Sequence, residues 1–332
     1  MTGPLARFGR RIAPQIITLA VVAAMIGVVF PDFFDISFAN GRLYGSPIDI
    51  LNRGAPVALL AIGMTLVIAT GGIDLSVGAV MAICGAIAAT CITQGYGLPL
   101  TLALALGAGV LCGLWNGLLV AVLGIQPIVA TLILMVAGRG VAQLITEGMI
   151  LTFNDAGLAA VGSGTLLWLP TPVVIWICAG IVTALIVRRS ALGMLIEAVG
   201  INRRASMLAG VNARLLIVTV YMVSGLCAAM AGVIAAADIR GADANNAGLF
   251  LELDAILAVV VGGTSLLGGH FSLIASLVGA MIIQSVNTGI LVAGFPPEFN
   301  LVIKACIVLA ILVLQSPALL GVSLLLGRGG SK

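Results

Sequence analysis

Charge is what this chain has least of. Only 8% of its 332 residues are Asp, Glu, Lys or Arg, whereas 61% are hydrophobic and the mean hydropathy is +1.26. A soluble domain carries about 25% charged and about 45–50% apolar residues. So few charges cannot cover a water-facing surface of this size, and the surplus apolar residues must face lipid. Histidine is almost missing too: His270 stands alone. That excludes histidine-based metal centres and argues against a histidine proton relay. The six cysteines (Cys84, Cys91, Cys112, Cys178, Cys227 and Cys306) form no C-x-x-C pair, and most sit in apolar runs. They read as small hydrophobes, and no metal site is expected. No G-x-x-x-x-G-K-[ST] string is present to cradle ATP phosphates. There is no Ser/His pair, no H-E-x-x-H and no cluster of acids, so an enzyme is not expected. A net charge of +3 is too small to imply nucleic acid.

What is abundant is apolar sequence and glycine, 43 residues of it. Glycine suits helices that approach closely inside a bilayer, where no hydrophobic drive operates between them. A spanning helix needs about 20 mostly apolar residues. The runs near 14–30, 48–70, 73–94, 99–122, 127–146, 171–187, 213–237, 254–268, 270–293 and 299–324 are candidates. The eighth is too short to span alone, and the break at 70–73 could belong to a bent or re-entrant piece. The expectation is an all-α, polytopic integral membrane protein of eight to ten transmembrane helices, forming a single transmembrane domain over 1–332. Arg7, Arg10 and Arg11 precede the first run, but no small-x-small cleavage site comes before Pro31-Asp32-Phe33-Phe34. The run is therefore expected to be the first span and not a removed leader.

Lysine and arginine set the orientation. With the N-terminus inside, alternation puts Arg7, Arg10, Arg11, Arg188, Arg189, Arg203, Arg204, Arg214, Arg328 and Lys332 on the cytoplasmic side. Only Arg42 and Arg240 fall clearly in outer loops. Both termini are predicted to be cytoplasmic.

Inside the second apolar region, Gly71-Gly72 interrupts a run just before Asp74 and Ser76. A carboxylate at membrane depth costs about 2.5–3.5 kcal/mol on insertion scales. Irregular backbone there is tolerated only where protein or water covers it. Asp74 and Ser76 can cap the helix that restarts here, or Asp74 can line a pathway. Asn116, Arg139, Gln143, Asp254, Gln284, Asn287 and Lys304 are further polar residues within spans. Amides match hydroxyl groups as donors and acceptors, but they also bond helices to one another. An ion pair of Arg139 with Asp254 or Asp74 is a possibility left open. Outside, Ala237 to Gly248 is the most polar stretch of the chain. It is either an ordinary solvated loop or a mouth, in which Asp238, Arg240 and Asp243 dock a partner or Asn245 and Asn246 cover the entrance.

The largest cytoplasmic segment, Arg188 to Arg214, holds five of the fifteen basic residues. Within it Glu197–Gly200 and Ala205–Gly210 read as short helical turns, each ended by a glycine able to take positive φ. Ile196, Val199, Met207 and Leu208 give the turns an apolar face, and Arg203 and Arg204 stand between them. Such a segment either skims the headgroups or docks into a groove on a partner.

The stretch Glu197-Ala198-Val199-Gly200, with a second glycine at Gly210, resembles the coupling loop of ABC importer permeases. The string Gly63 to Gly78, with Gly71-Gly72-Ile73-Asp74-Leu75-Ser76 at its centre, resembles the signature of the ribose, arabinose and xylose branch. A partial echo at Val261 to Gly269, and another between Asn116 to Ala121 and Asn287 to Ala293, hints at internal duplication. The outer segments around Arg42 to Asn52, Ala237 to Gly248 and Gly294 to Glu298 resemble the galactofuranose-importing members. The resemblance implies a permease subunit in a bacterial inner membrane, with a coupling loop at 190–212. Glu197, Ala198, Gly200, Arg203, Arg204 and Gly210 would meet an ATPase subunit. It implies no cofactor on this chain, with ATP and Mg used by that ATPase. It also implies a periplasmic sugar-binding protein and a second permease copy or homologue as partners. An ion-coupled secondary carrier acting alone, using Asp74 or Asp254, is the alternative.

Overall fold

A computed structural model of the chain describes residues 4–39, 41–294 and 297–315. Arg328 and Lys332, two of the expected cytoplasmic charges, lie outside these residues. The described residues are dominated by fourteen α-helices: α1 (Pro4–Val29), α2 (Ser46–Arg53), α3 (Ala55–Ala69), α4 (Val77–Thr93), α5 (Leu98–Ala121), α6 (Pro127–Ile145), α7 (Ala156–Ser163), α8 (Thr171–Arg189), α9 (Leu192–Ile201), α10 (Arg203–Leu208), α11 (Ala213–Asp238), α12 (Leu251–Val261), α13 (Leu273–Val292) and α14 (Pro297–Gln315). Proline opens α3, α5, α6 and α8, where its missing N–H costs nothing. Side chains of Asn202, Asn212 and Ser272 accept from backbone N–H groups to cap α10, α11 and α13.

Among the described residues six helices are long and apolar enough to cross a membrane: α1, α5, α6, α8, α11 and α13. The pair α2 and α3, bent by 47°, forms a seventh crossing if taken as one span. Pro56 explains the bend, because it withholds an N–H from the turn before it. The difference from eight to ten lies in three pieces. Helix α4 has 17 residues, the described apolar part of α14 runs only Leu301–Ile311, and α12 has 11 residues, about 16 Å.

Helix α3 forms the centre. Apart from Pro56 its residues are buried, on every face, as befits a helix surrounded by others. Helix α11 packs against α3, α4 and α5. Its contact with α5 is made by glycines at four-residue intervals, Gly109, Gly113 and Gly117. A Cβ on Gly113 would fall on the Tyr221 carbonyl, and one on Gly117 would sit 2.8 Å from the Val218 Cα. This is the small-residue packing that brings helix backbones together in lipid. Around this centre α1, α5, α6 and α8 present large exposed apolar side chains such as Met25, Leu111, Val136 and Leu185.

Connections sort by side, as the alternation predicts. On one side the Ala69 carbonyl accepts from Gly269 N–H at 3.0 Å and the Ala121 carbonyl from Arg203 at 3.0 Å. On the other, the Trp168 carbonyl accepts from Leu43 N–H at 3.0 Å, and Leu151–Thr152 pairs with Gly241–Ala242 as a short antiparallel ribbon. Segment 239–250 departs from the expected outer loop. It turns back between helices until Gly248 lies against the backbone of Gly78. Gly78 is fifteen residues from the outer end of α4, about 22 Å at 1.5 Å per residue, well inside a core about 30 Å thick. Helix α12 starts from that depth and completes the crossing, which is why it needs only three turns.

Candidate translocation path and coupling elements

The break after α3 is built as the glycines suggest. Gly71 has φ +79°, and a Cβ on Gly72 would come 2.7 Å from the Tyr221 hydroxyl. Asp74 is buried at 1% exposure, and its carboxylate is fully engaged by neutral groups. One oxygen accepts from Ser76 N–H at 3.1 Å and from the Ser76 hydroxyl at 2.6 Å; the other accepts from the Ser224 hydroxyl at 2.8 Å. Asn116 in turn donates to the Ser76 hydroxyl at 2.8 Å. Asp74 thus closes the turn ahead of α4, and neither Asp74 nor the N-cap residue Ser76 makes the expected side-chain capping bond to the helix. The cluster stitches the break to α5 and α11, and it offers Asp74 no cation among the described residues. Carboxylates satisfied this way cost far less to bury than bare ones.

The charged pairs differ from the expected ones. Arg139 meets neither Asp74 nor Asp254. It donates to the carbonyls of Ala244 (3.1 Å) and Ala247, and so pins the descending arm of the re-entrant segment to α6. Gln143, one turn above, donates to Asn245 at 2.8 Å. Asp254 is held instead by Lys304 of α14, at 2.9 and 3.0 Å, with both side chains nearly buried. At the turn outside the helices, Asp243 accepts from the Asn246 side chain and from the backbone N–H of Asn245 and Asn246. The Asn246 amide first, and then those N–H groups, hold its carboxyl below the usual range despite some burial. Asp238 and Arg240 are exposed at the outer end of α11, whereas Asn245 and Asn246 sit on the way down. The five residues expected at one outer surface are therefore split between a rim and a descending wall.

On the inner side, α9 and α10 replace the two expected turns. Gly210 does end α10 with φ +87°. Gly200 does not take positive φ; it lies within α9, and glycine is needed there for space. A Cβ would fall on the Ala69 carbonyl and come 2.6 Å from Gly269 N. The apolar face also divides. Ile196 and Val199 are buried in the chain's own core at 3% and 2% exposure, while Met207 and Leu208 are exposed, joined by Met194 and Ile201. Glu197, beside Ala198, is partly exposed and meets His270 Nδ1 at 3.2 Å. Arg203 reaches the end of α5, and Arg204 points outward. Met194 and Ile201 are seven residues apart on α9 and so share a helix face, but in a stretch where only Glu197 is polar the sequence does not mark that face as the outer one, and no pattern marked His270 as the partner of Glu197.

Among the described residues no group of three or more His, Cys, Asp or Glu could hold a metal ion. Asp254 is paired with Lys304, and the Asp74 carboxylate is hydrogen-bonded by the hydroxyls of Ser76 and Ser224.

Comparison with known proteins agrees with this architecture. Residues 46–312 match the family of branched-chain amino acid transport system permease components. The chain is 65% identical over 303 residues to the galactofuranose transporter permease protein YtfT of Escherichia coli K12, covering 91% of this chain and 89% of that one. It is 40% identical to the fructose import permease protein FruF of Bifidobacterium longum, covering 93% and 90%. It is 37% identical to the ribose import permease protein RbsC of E. coli K12, covering 90% and 92%. The chain therefore belongs to this permease family, as a multi-pass subunit of an ABC importer in the bacterial inner membrane whose ATPase is a separate subunit.

Proposed function

We propose that the chain provides the membrane path of an importer for galactofuranose or a closely similar monosaccharide. The substrate reading is supported by the 65% identity to a galactofuranose permease and by the fructose and ribose permeases that follow it. A periplasmic sugar-binding protein would deliver the sugar to the rim at Asp238 and Arg240, above Asp243, Asn245 and Asn246. Two ATPase subunits would grip α9 and α10 on the inner face, and a second permease copy or homologue would complete the membrane part. ATP and Mg stay with the ATPase, and this chain binds no cofactor.

One observation carries the mechanism: Gly200 of α9 is wedged between the end of α3 and the turn before α13. Its position leaves no slack, because the Ala69 carbonyl is bonded to Gly269 N–H and Gly200 abuts both. Glu197 with His270 and Arg203 with Ala121 add two more ties. A pull on α9 therefore moves the broken ends of α3 and α12 together, and through Asn116, Ser76 and Asp74 the start of α4 with them. Packed interiors transmit such displacements because they resist compression. The exposed side chains Met194, Arg204, Met207 and Leu208, with the partly exposed Glu197, are the handle.

The test is ATP-dependent uptake in proteoliposomes holding the permease, its ATPase and the binding protein. Galactofuranose should accumulate, with competition from other monosaccharides but not from leucine. Glu197→Arg should weaken retention of the ATPase in a pull-down while the permease still inserts. Leucine uptake without sugar uptake would overturn the substrate reading, and full ATPase retention would move the handle elsewhere.

A further inference from the structure

The outer end of α8 carries a hairpin whose turn has unusual residues for its shape. Thr165–Leu166 pairs antiparallel with Leu169–Pro170, which leaves Leu167 and Trp168 as a two-residue turn. Both take left-handed φ, +53° and +65°, in a turn of the kind that ordinarily holds Asn-Gly. Bulky residues there strain the backbone, and an outlier of this kind points to a use outside the fold. The turn's backbone is held. The Trp168 carbonyl accepts from Leu43 N–H at 3.0 Å, which docks it on the neighbouring hairpin of Ser37–Ala39 and Arg42–Tyr44. Its side chains are not covered: Leu167 and Trp168 are 76% and 66% exposed, with Leu166 exposed beside them. Phe38 and Tyr44 are exposed on the neighbouring hairpin.

Element lengths place this tip. Helix α8 has 19 residues, about 28 Å at 1.5 Å each, against a hydrocarbon core of about 30 Å. Its first residue, Thr171, therefore stands near the outer edge of that core. The strand Leu169–Pro170 adds about 7 Å at 3.3 Å per residue, and the headgroup layer on each side is about 5–8 Å deep. The tip therefore ends at headgroup level. Charge points the same way. No charged residue occurs between Asp155 and Arg188, so the hairpin offers a soluble protein partner no ion to steer by. Tryptophan suits the membrane interface, with an apolar ring system and one N–H donor.

We infer that the Leu167-Trp168 tip is a lipid anchor, seated among the phospholipid headgroups of the outer leaflet. It brackets α8 between a tryptophan at one interface and Arg188-Arg189 at the other. Helix α9 follows directly and packs onto that inner end, where a Cβ on Gly193 would come 2.7 Å from the Val187 carbonyl. Interfacial anchors set the tilt and height of a spanning helix. The tip thus fixes the helix on which α9 is seated.

The experiment reads tryptophan emission from the full-length permease in phosphatidylcholine vesicles. The lipid carries bromine, a quencher, either next to the headgroup or at the end of the acyl chain. The chain has three tryptophans, and subtracting the Trp168→Phe signal from that of wild type isolates Trp168. The difference signal should be lost mostly to the shallow bromines and little to the deep ones. It should keep this pattern when the periplasmic sugar-binding protein of the proposed importer is added. Quenching by iodide in the water and by neither lipid would put the tip in solvent and overturn the inference. So would stronger quenching by the deep bromines than by the shallow ones. Shielding from iodide that appears only with the binding protein would make the tip a protein-docking surface, and would overturn it too. If Trp168→Phe fails to insert, a chain with Trp115→Phe and Trp176→Phe, in which Trp168 is the remaining tryptophan, gives the same reading.

Discussion

The coupling wedge and the re-entrant segment of this molecule are held in different ways. At the wedge, backbones touch: Gly200 fits against Ala69 and Gly269, and a Cβ on Gly268 would come 2.9 Å from Gly71 N. The descending arm of the re-entrant segment is held by side chains, with Arg139 donating to the carbonyls of Ala244 and Ala247 and Gln143 donating to Asn245. Tight, side-chain-free contacts transmit force, whereas side-chain hydrogen bonds can be exchanged for others. Volume should matter at the first and polarity at the second.

The Lys304–Asp254 pair clamps α14 to α12, and breaking it should have the largest effect on stability. Lys304→Met leaves an uncompensated buried carboxylate and should cost about 3–5 kcal/mol, read as a lower unfolding temperature in detergent. Adding Asp254→Asn should recover most of the loss. A double variant as unstable as the single one would mean that the pair is not the clamp.

The Asp74 cluster comes next. Asp74→Asn keeps the shape but turns one acceptor oxygen into a donor facing hydroxyls. A loss of about 1–3 kcal/mol is expected, and Ser224→Ala should cost less. Equal stability of wild type and Asp74→Asn would remove the cluster from the account of the break. Toward the outer side, Arg139→Met frees the carbonyls of Ala244 and Ala247. Hydrogen exchange over 241–250 should quicken with little change at 195–210; uniform exchange across both would make the two regions one cooperative unit. Smallest of all, Gln143→Leu should cost about 0.6 kcal/mol, a typical polar contact between membrane helices, within reach of a careful denaturation series.

Much of the architecture was legible in the sequence. Length and apolarity of the runs declared α1, α5, α6, α8, α11 and α13, and Gly71-Gly72 announced the break. The re-entrant segment was not legible, because a polar stretch such as Asp243 to Asn246 looks the same on the surface as on a wall inside a protein. Only the shortness of the 254–268 run hinted at it. Ile196 and Val199 read in the sequence as part of a face that meets headgroups or a partner, since an apolar face carries no label for what covers it. Asn116 and Asp74 stood out as polar residues in apolar runs, but their junction through Ser76 depends on how α4, α5 and α11 cross.

The most direct test of the central claim is the ratio of sugar imported to ATP hydrolysed in Gly200→Ala, with Gly210→Ala as the companion. Gly200 has no room for a methyl group, while Gly210 has nothing within 4 Å and only its φ of +87° to lose. If α9 drives the path through the Gly200 wedge, Gly200→Ala should still bind the ATPase and hydrolyse ATP yet import sugar at less than about a tenth of the wild-type ratio, an overpacking cost of more than 1 kcal/mol. Gly210→Ala should keep its ratio. An unchanged ratio in a correctly inserted Gly200→Ala complex would contradict the account.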